Sequence, residues 1–472
     1  MNTDRRSFLG GLLAAGAAAK GVAANAAESA ARPRGKVRLR FGVMTDTHIG
    51  TSWMAGINTP AVEKALRWFD SRGADMVVGC GDQVNSGTVE QLKALGEIWN
   101  KVFPGGRGSD GRPVEKLFVN GNHEIALWYT PEKQAEKPDY FLLPQMAKWW
   151  QECLGEKYEP VVVKRIKGFP FIGINWLYDK PEFVQPALER ALKGVKKGEP
   201  VFCALHNPIA ATCYSSAKKP NALTKLFEGV PNAVVFSGHT HKPVTHPRSI
   251  WQGAFTAVNS GVVTWIEVPP DVWPKPLPPG APYAKNLLFV TVYDKSILIE
   301  RQDLVREVPI GREWEFPLPL DPATFRYTDA YFAALPKARF PEGARATANQ
   351  SMGERSLGPV PVKWDYWKGD PGGMLVSFPA AGAGGENLVV RYDIKVVRAD
   401  NGETVLTREV NTDFYFGVKR MKRTYDVIIP AAELPAEVPC RYEVTAVDSM
   451  GRADATLATE PVAWHKYRAE VY

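Results

Sequence analysis

Short apolar runs alternate with amphipathic stretches along the first part of the chain. Arg38–Thr45 (RLRFGVMT), Asp75–Cys80 (DMVVGC) and Lys116–Val119 are rich in valine and phenylalanine and bounded by turn formers, which predicts buried strands. Between them Pro60–Arg72 and Val89–Val102 carry helical spacing, the first with proline near its start and Gly73 just past its end. Tyr129–Leu143 has no clear period, and Met146–Cys153 and Glu182–Lys196 read as further helices. Val161–Val163, Phe169–Trp176, Pro200–Leu205 and Ala233–Ser237 read as strands. This rhythm predicts βαβ units and a largely parallel sheet, an α/β architecture. Ala254–Val258, Val262–Val268, Asn286–Val292 and Ser296–Arg301 follow as β-structure, interrupted by a proline-dense loop at Pro269–Pro282.

From about Glu313 the pattern changes. Phe316–Gly358 is rich in Pro, Ala and Arg and reads as a connector. Beyond Pro359 every periodic stretch is β: Met374–Phe378, Leu388–Val397, Thr404–Val410, Tyr425–Ile429 and Tyr442–Val447, with hairpin turns at Asp400-Asn401-Gly402 and Ser449-Met450-Gly451. The expected organisation is a catalytic domain at 36–312, a connecting segment at 313–358 and a β-sandwich at 359–472. Residues 1–26 read as an address. Thr3-Asp4-Arg5-Arg6-Ser7-Phe8-Leu9 has the twin-arginine pattern, Phe8–Ala19 is modestly apolar, and Ala24-Asn25-Ala26 offers a cleavage site. The apolar run is too short for the roughly 30 Å of a bilayer core. The expectation is passage through the twin-arginine export machinery to the periplasm or beyond, with no stable membrane anchor.

Composition adds limits. At 472 residues there is room for two or three domains, and 45% hydrophobic with 23% charged residues is the balance of a globular protein. A formal net charge of +7 without a basic block does not imply nucleic acid as a partner. The five cysteines show no C-x-x-C spacing, and Cys80 and Cys203 lie in apolar strand patterns, as buried thiols do.

Five polar clusters carry the chemistry, each directly after an apolar strand. They are Asp46-Thr47-His48, Gly81-Asp82-Gln83-Val84-Asn85, Gly121-Asn122-His123-Glu124, His206-Asn207-Pro208 and Gly238-His239-Thr240-His241. Any one alone is an ordinary loop. Together, at strand ends that can share one sheet edge, they specify a dinuclear metal site. Of seven histidines, only His246 and His465 lie outside the clusters. Imidazole, carboxylate and one amide oxygen without thiolate suit Mn, Fe or Zn. Two such ions roughly 3.5–4 Å apart can hold a bridging hydroxide and clamp an in-line displacement at phosphorus.

The ordered set D-x-H, G-D-x-x-[DN], G-N-H-E, H and G-H-x-H resembles the calcineurin-like metallophosphoesterase superfamily over residues 36 to 305. The resemblance implies a four-layer α/β/β/α sandwich. It assigns Asp46, His48 and His241 to the first metal and Asn122, His206 and His239 to the second, with Asp82 bridging. It makes His123 a general acid or hydrogen-bond donor to the leaving group. Asn85 stands where many members have an aspartate that pairs with this histidine; an amide accepts a hydrogen bond but supplies no negative charge. In the C-terminal third, Cys440–Gly451 resembles the last hairpin of a fibronectin type III domain, with Tyr442 as its corner tyrosine.

The function expected is an exported metal-dependent phosphoesterase. A phosphodiester is favoured over a monoester, because the motif form resembles the phosphodiesterase branch and no basic cluster stands ready for a dianion. Aromatic candidates for the pocket are Trp128, Tyr129, Trp176, Tyr178 and Tyr214, of which Tyr214, together with Asn122, is assigned to substrate binding. Trp364, Tyr366 and Trp367 read as packing residues rather than a sugar-binding face. The alternatives are a phosphomonoesterase or nucleotidase, and a non-catalytic envelope protein that keeps the metal fold and binds glycans or phosphorylated polymers.

Overall fold

The computed structural model of the chain describes residues 34–126, 144–268, 277–278, 280–351, 372–417 and 421–465. The proposed export signal, Trp128, Tyr129, Trp364, Tyr366 and Trp367 lie outside these residues. In chain order the first strands are β1 (Val37–Met44), β2 (Met76–Cys80), β3 (Glu115–Val119), β4 (Val161–Ile166), β5 (Phe169–Ile174), β6 (Val201–Leu205) and β7 (Ala233–Ser237). They are followed by β8 (Ile250–Gln252), β9 (Thr256–Asn259), β10 (Asn286–Tyr293), β11 (Ser296–Asp303), β12 (Val308–Pro309) and β13 (Trp314–Pro317). Helices α1 (Ala55–Ser71), α2 (Val89–Val102), α3 (Pro144–Leu154), α4 (Pro181–Leu192) and α5 (Ala222–Glu228) lie between them.

These strands build two sheets. The first has the order β12-β11-β10-β1-β2-β3, with β13 also on β11; the second has the order β4-β5-β6-β7-β9-β8. β1, β2 and β3 run parallel, as do β5, β6, β7 and β9, while β10 and β11 continue the first sheet antiparallel and β4 and β8 close the edges of the second antiparallel. The sheets meet through large apolar side chains. Phe41 on β1 meets Phe171, Phe202 and Phe236 of the other sheet edge-on, with ring centroids 5.2, 4.9 and 5.8 Å apart. The outer face of the first sheet packs with α1, α2 and α3 through residues such as Phe69, Trp99 and Trp150. That of the second packs with α4 and α5 through Leu188 and Phe227. Because β1, β2, β3, β6 and β7 all end towards the same side, the turns that follow them can converge.

Several elements differ from the sequence expectation. Helix α1 begins at Ala55, before Pro60, because it grows out of the 3₁₀ turn Ser52–Met54 that leaves the His48 loop. Proline here marks the first turns of a helix rather than its first residue. Helix α4 stops at Leu192, just before Gly194 in left-handed backbone at φ 79°. Val262–Val268, expected as a strand, makes only one β-bridge, Val262 with Asn286. Its polar backbone atoms are engaged instead by neighbouring loops: Val263 N–H donates to Thr45 O at 3.1 Å and Glu267 N–H to His241 O at 2.9 Å. The expected connecting segment contributes residues to both parts of the chain. β13 belongs to the first sheet, Tyr327, Phe332 and Leu335 sit in the core shared by both sheets, and β14 (Thr347–Ser351) already belongs to the C-terminal sheets. The stretch's proline and arginine content concealed these few anchoring residues.

The C-terminal strands are β14, β15 (Gly373–Pro379), β16 (Val389–Arg398), β17 (Thr404–Asn411), β18 (Thr424–Pro430), β19 (Pro439–Asp448), β20 (Ala455–Ala458) and β21 (Val462–Ala463). They form a sheet β14-β15-β18 and a sheet β17-β16-β19-β20, with β21 on β19. One core joins Met374, Phe378 and Tyr425 of the first to Tyr392, Tyr442 and Val444 of the second. All five cysteines are free thiols, and Cys153 alone is not buried.

The seam with the N-terminal part includes a buried histidine. His246 donates from Nε2 to the Ser449 carbonyl at 3.0 Å and accepts the Arg248 N–H on Nδ1 at 3.1 Å. Tyr214 stacks on its ring with centroids 3.7 Å apart and planes parallel to within 1°. Burial, helped by Arg248, pushes the His246 pKa down to about 3. The ring is therefore neutral when folded and takes a proton near its ordinary pKa of about 6.5 when unfolded. Its contribution is complete above pH 6.5 and is lost as pH falls towards 3, since the unfolded chain then binds the extra proton. Chemical denaturation between pH 7 and 4 should show a His246→Gln variant losing less stability on acidification than the parent; parallel pH curves would contradict this.

Candidate metal centre

The turns after β1, β2, β3, β6 and β7 deliver all seven expected ligands to one place. Asp46, His48 and His241 form one gathering and Asp82, His206 and His239 a second, with ligand atoms within 4.8 Å of one another. In the first, His48 Nε2 lies 3.1 Å from His241 Nε2, and Asp46 Oδ1 lies 3.3 Å from His241 Nε2. In the second, His206 Nε2 lies 3.1 Å from Asn122 Oδ1 and 3.2 Å from His239 Nδ1. Asp82 Oδ2 stands between them, 3.0 Å from His206 Nε2 and 3.8 Å from His48 Nε2. His123 also gathers with His48 and Asp82, its ring edge-on to His48 at 4.4 Å.

The outer atoms fix the inner ones. His206 donates from Nδ1 to the Cys80 carbonyl at 2.9 Å, and His241 from Nδ1 to the Trp265 carbonyl at 2.9 Å. His48 Nδ1 faces Asn85 Oδ1 at 3.3 Å. Each Nδ1–H is thereby used, so each ring in its neutral form presents Nε2 inward, the tautomer that a metal ligand requires. Imidazole nitrogens and two buried carboxylates gathered this closely make a donor set that fits divalent ions. Asp46, His48 and His241 would hold one ion, Asn122, His206 and His239 the other, and Asp82 both.

Local backbone is bent to make this possible. Asp46, His48, Asp82, His239 and His241 adopt left-handed φ values of 50, 45, 51, 70 and 52°. Such non-glycine conformations cost roughly 1–3 kcal/mol each and persist only where surroundings enforce them. Glu124 is one enforcer. Fully buried, it accepts the N–H groups of Gly121 at 2.5 Å, Asp82 at 3.0 Å and Val84 at 2.9 Å. It thus clamps the β2 and β3 turns together. Burial and the Asp82 charge push its pKa up to about 7. Thr45 Oγ1 donates to Asp46 Oδ2 at 2.7 Å, and Asp82 Oδ1 accepts the His123 N–H at 2.9 Å.

Electrostatics divide the histidines. Burial, then the nearby His241 ring, drives His48 down to about 3. Burial also disfavours a charged His206, but the Asp82 carboxylate outweighs it and raises the pKa to about 9. The His241 and His206 rings hold Asp46 well below the usual carboxylate range against its burial.

Other sequence-derived sites lie elsewhere than expected. The Asn85 side chain does not partner His123. Its Oδ1 accepts from Thr51 Oγ1 at 2.9 Å and faces His48, while its backbone carbonyl accepts from His123 Nδ1 at 2.6 Å. The turn brings the peptide oxygen, one bond nearer the chain, to the ring. Tyr178 is buried and edge-on to Phe183, and Trp176 packs on the core beneath α2 and α3. Tyr214 stacks on His246 at the domain seam rather than on a ligand ring. Trp265 was not singled out from sequence. Its indole lies 4.8 Å from the His48 ring and 4.9 Å from the His241 ring, walling one side of the first gathering. Embedded in an apolar stretch that reads as a strand, it gave no motif signal.

With this geometry in place, comparison with known proteins is informative about class. Residues 39–243 match the family model of the calcineurin-like phosphoesterases, and the fold there is α/β with a β-rich region after it. That family implies a metal-dependent phosphoester hydrolase. No curated protein sequence matches the chain. Solved structures similar to it include a dimetal phosphatase from Danio rerio, with 11% identity and a TM-score of 0.37 over 60% of this chain and 99% of that one. Another is the purple acid phosphatase PPD1 from yellow lupin seeds, with 12% identity and a TM-score of 0.42 over 60% of this chain and 54% of that one. A third is the calcineurin-like phosphoesterase YfkN from Bacillus subtilis, with 12% identity and a TM-score of 0.30 over 63% of this chain and 95% of that one.

Gly238 tests how closely the ligand loops are fitted. A Cβ there would overlap Thr45 Oγ1 and press on Asp46. Gly238→Ala should cost roughly 1–3 kcal/mol in denaturant unfolding and weaken retention of one of the two ions by about tenfold or more. Unchanged metal content by elemental analysis would show the loop to be more yielding than this.

Proposed function

We propose that the chain is an exported phosphoesterase working with two transition-metal ions, Mn, Fe or Zn, and that it cleaves a phosphodiester. The observation that carries this reading is the position of Asp82 Oδ2 between two sets of inward-facing ligands. When bound, paired dications supply the charge that neutralises phosphate oxygens and activate water for in-line attack at phosphorus. The protein's own groups do the rest. Asn122 and the histidine rings orient the phosphoester beside the ligands. His123, held through Nδ1 by the Asn85 carbonyl and through its N–H by Asp82, keeps Nε2 for the leaving-group oxygen and delivers the proton there.

Substrate charge favours the diester. Among the described residues Asp46 and Asp82 pair with histidines and not with lysine or arginine, which favours a substrate phosphate of lower charge. The order of core clusters, helices on sheet on sheet on helices, supports the four-layer sandwich. Strand orders β14-β15-β18 and β17-β16-β19-β20 support a fibronectin type III-like module, with Tyr442 buried in its core. Export rests on the twin-arginine pattern at Arg5-Arg6. Among the described residues no helix is long and apolar enough to cross a membrane.

Elemental analysis of protein purified without chelator, with bis(p-nitrophenyl) phosphate and p-nitrophenyl phosphate assayed on the same sample, tests the reading. About two ions per chain and preference for the diester are expected. Asp82→Ala should lose both metal and turnover, whereas His123→Ala should keep its ions and lose about 10²–10⁴ in kcat. Two ions with no ester turnover, or wild-type turnover by Asp82→Ala, would refute it.

A further inference from the structure

His241 is oriented by a segment with almost no regular secondary structure. Residues 262–268 make a single β-bridge to the sheet and otherwise run as irregular backbone. Yet this segment gives His241 its acceptor, the Trp265 carbonyl, and lays the Trp265 indole against His48 and His241. Its fixed conformation must come from its neighbours. On one side, the buried Lys285 ammonium donates to the carbonyls of Val263 at 2.8 Å and Thr264 at 2.6 Å, and to Asn58 Oδ1 of α1 at 3.2 Å. On the other, Val262 and Ile266 sit in one buried cluster with Leu388, Val390, Phe414 and Tyr415 of the C-terminal β unit. The Arg306 guanidinium adds a second tie, 4.7 Å over the Phe416 ring and 3.3 Å from the Phe416 carbonyl.

We propose that the C-terminal β unit is a structural part of the metal centre: through Phe414 and Val390 it holds the 262–268 segment, so that the Trp265 carbonyl and indole fix His241 and wall the first metal position. Phe414 and Val390 are positioning residues that touch neither metal nor substrate. The inference builds on the two-metal reading above, but the mechanical coupling it asserts can be read without metal. A separate, merely attached module would leave the segment's order and the site's affinity untouched by changes in its own core. A buttressing module transmits them.

The test uses the full chain and three truncations. Phe414→Ala and Val390→Ala remove side chain at the seam. Val444→Ala removes it from the C-terminal core, away from the seam. In metal-free protein, amide hydrogen exchange across 262–268 should speed up by roughly tenfold in the two seam variants and not in Val444→Ala. In metal-loaded protein dialysed against a weak chelator, the seam variants should lose one of two ions about tenfold faster than the parent, with kcat falling more than KM rises. Phe414→Leu should restore most of both. If Phe414→Ala does not fold, the smaller truncation Val390→Ala carries the comparison. Seam variants with parental exchange and metal retention, or equal loss in Val444→Ala at matched stability, would overturn the proposal. Absence of two ions in the parent would instead overturn the two-metal reading, and the exchange result would still decide the coupling.

Discussion

Carboxylates and imidazoles crowded into a buried cleft repel their own kind, and the rest of the structure is arranged to hold them there. His48 and His241 bring nitrogen atoms to 3.1 Å of one another, and Asp46 and Asp82 add two carboxylates to the same space. Asp46 attracts His241 and Asp82 attracts His206, but the two carboxylates oppose each other, so mutual attraction alone does not hold the set in place. Each is held from behind, His206 by the Cys80 carbonyl, His241 by the Trp265 carbonyl and Asp82 by the His123 N–H. Five left-handed ligand residues at roughly 1–3 kcal/mol each amount to a sum comparable with the whole stability of a domain, about 5–15 kcal/mol. The strain is bearable because β2, β6 and β7 behind the loops are fully buried and the two sheets interlock at Phe41. Cations entering the cleft would remove the repulsion and add their own binding free energy to the folded state.

Parallel strands explain why the ligands lie in different parts of the sequence and one part of space. A strand end is the point at which side chains cease to be committed to a sheet face, and parallel strands present all their ends on one side. Glu124 then makes two of the turns into one body by accepting three backbone N–H groups from them. A carboxylate so deeply buried is costly unless it satisfies such donors. It is a clamp on the turns.

Sequence patterning revealed the strands because buried parallel strands are written as apolar runs, and it picked out the polar clusters that gather in space because each directly follows one. α2 falls at the expected Val89–Val102. Patterning failed where tertiary demand overrides local preference. Val262–Val268 reads as a strand, but its backbone serves Thr45 and His241. The stretch after Glu313 reads as linker, but four residues of β13 are enough to extend the first sheet. The Asn85 side chain was set against His123 because one-dimensional motifs name side chains, whereas the atom that meets the ring is a peptide oxygen. Trp265 had no pattern to betray it, since its role arises from a chain reversal that brings it back over β1's loop.

The exchange of carboxylate for carbonyl behind His123 has a physical consequence. A carboxylate partner fixes the ring and also stabilises its positive charge. The Asn85 carbonyl fixes the ring and supplies only a dipole. The orientation of the ring beside His48 and Asp82 is thereby set by backbone geometry and not by a paired charge. Asp82, which accepts the His123 N–H on one oxygen and faces both ligand sets with the other, ties that orientation to the gathered side chains themselves.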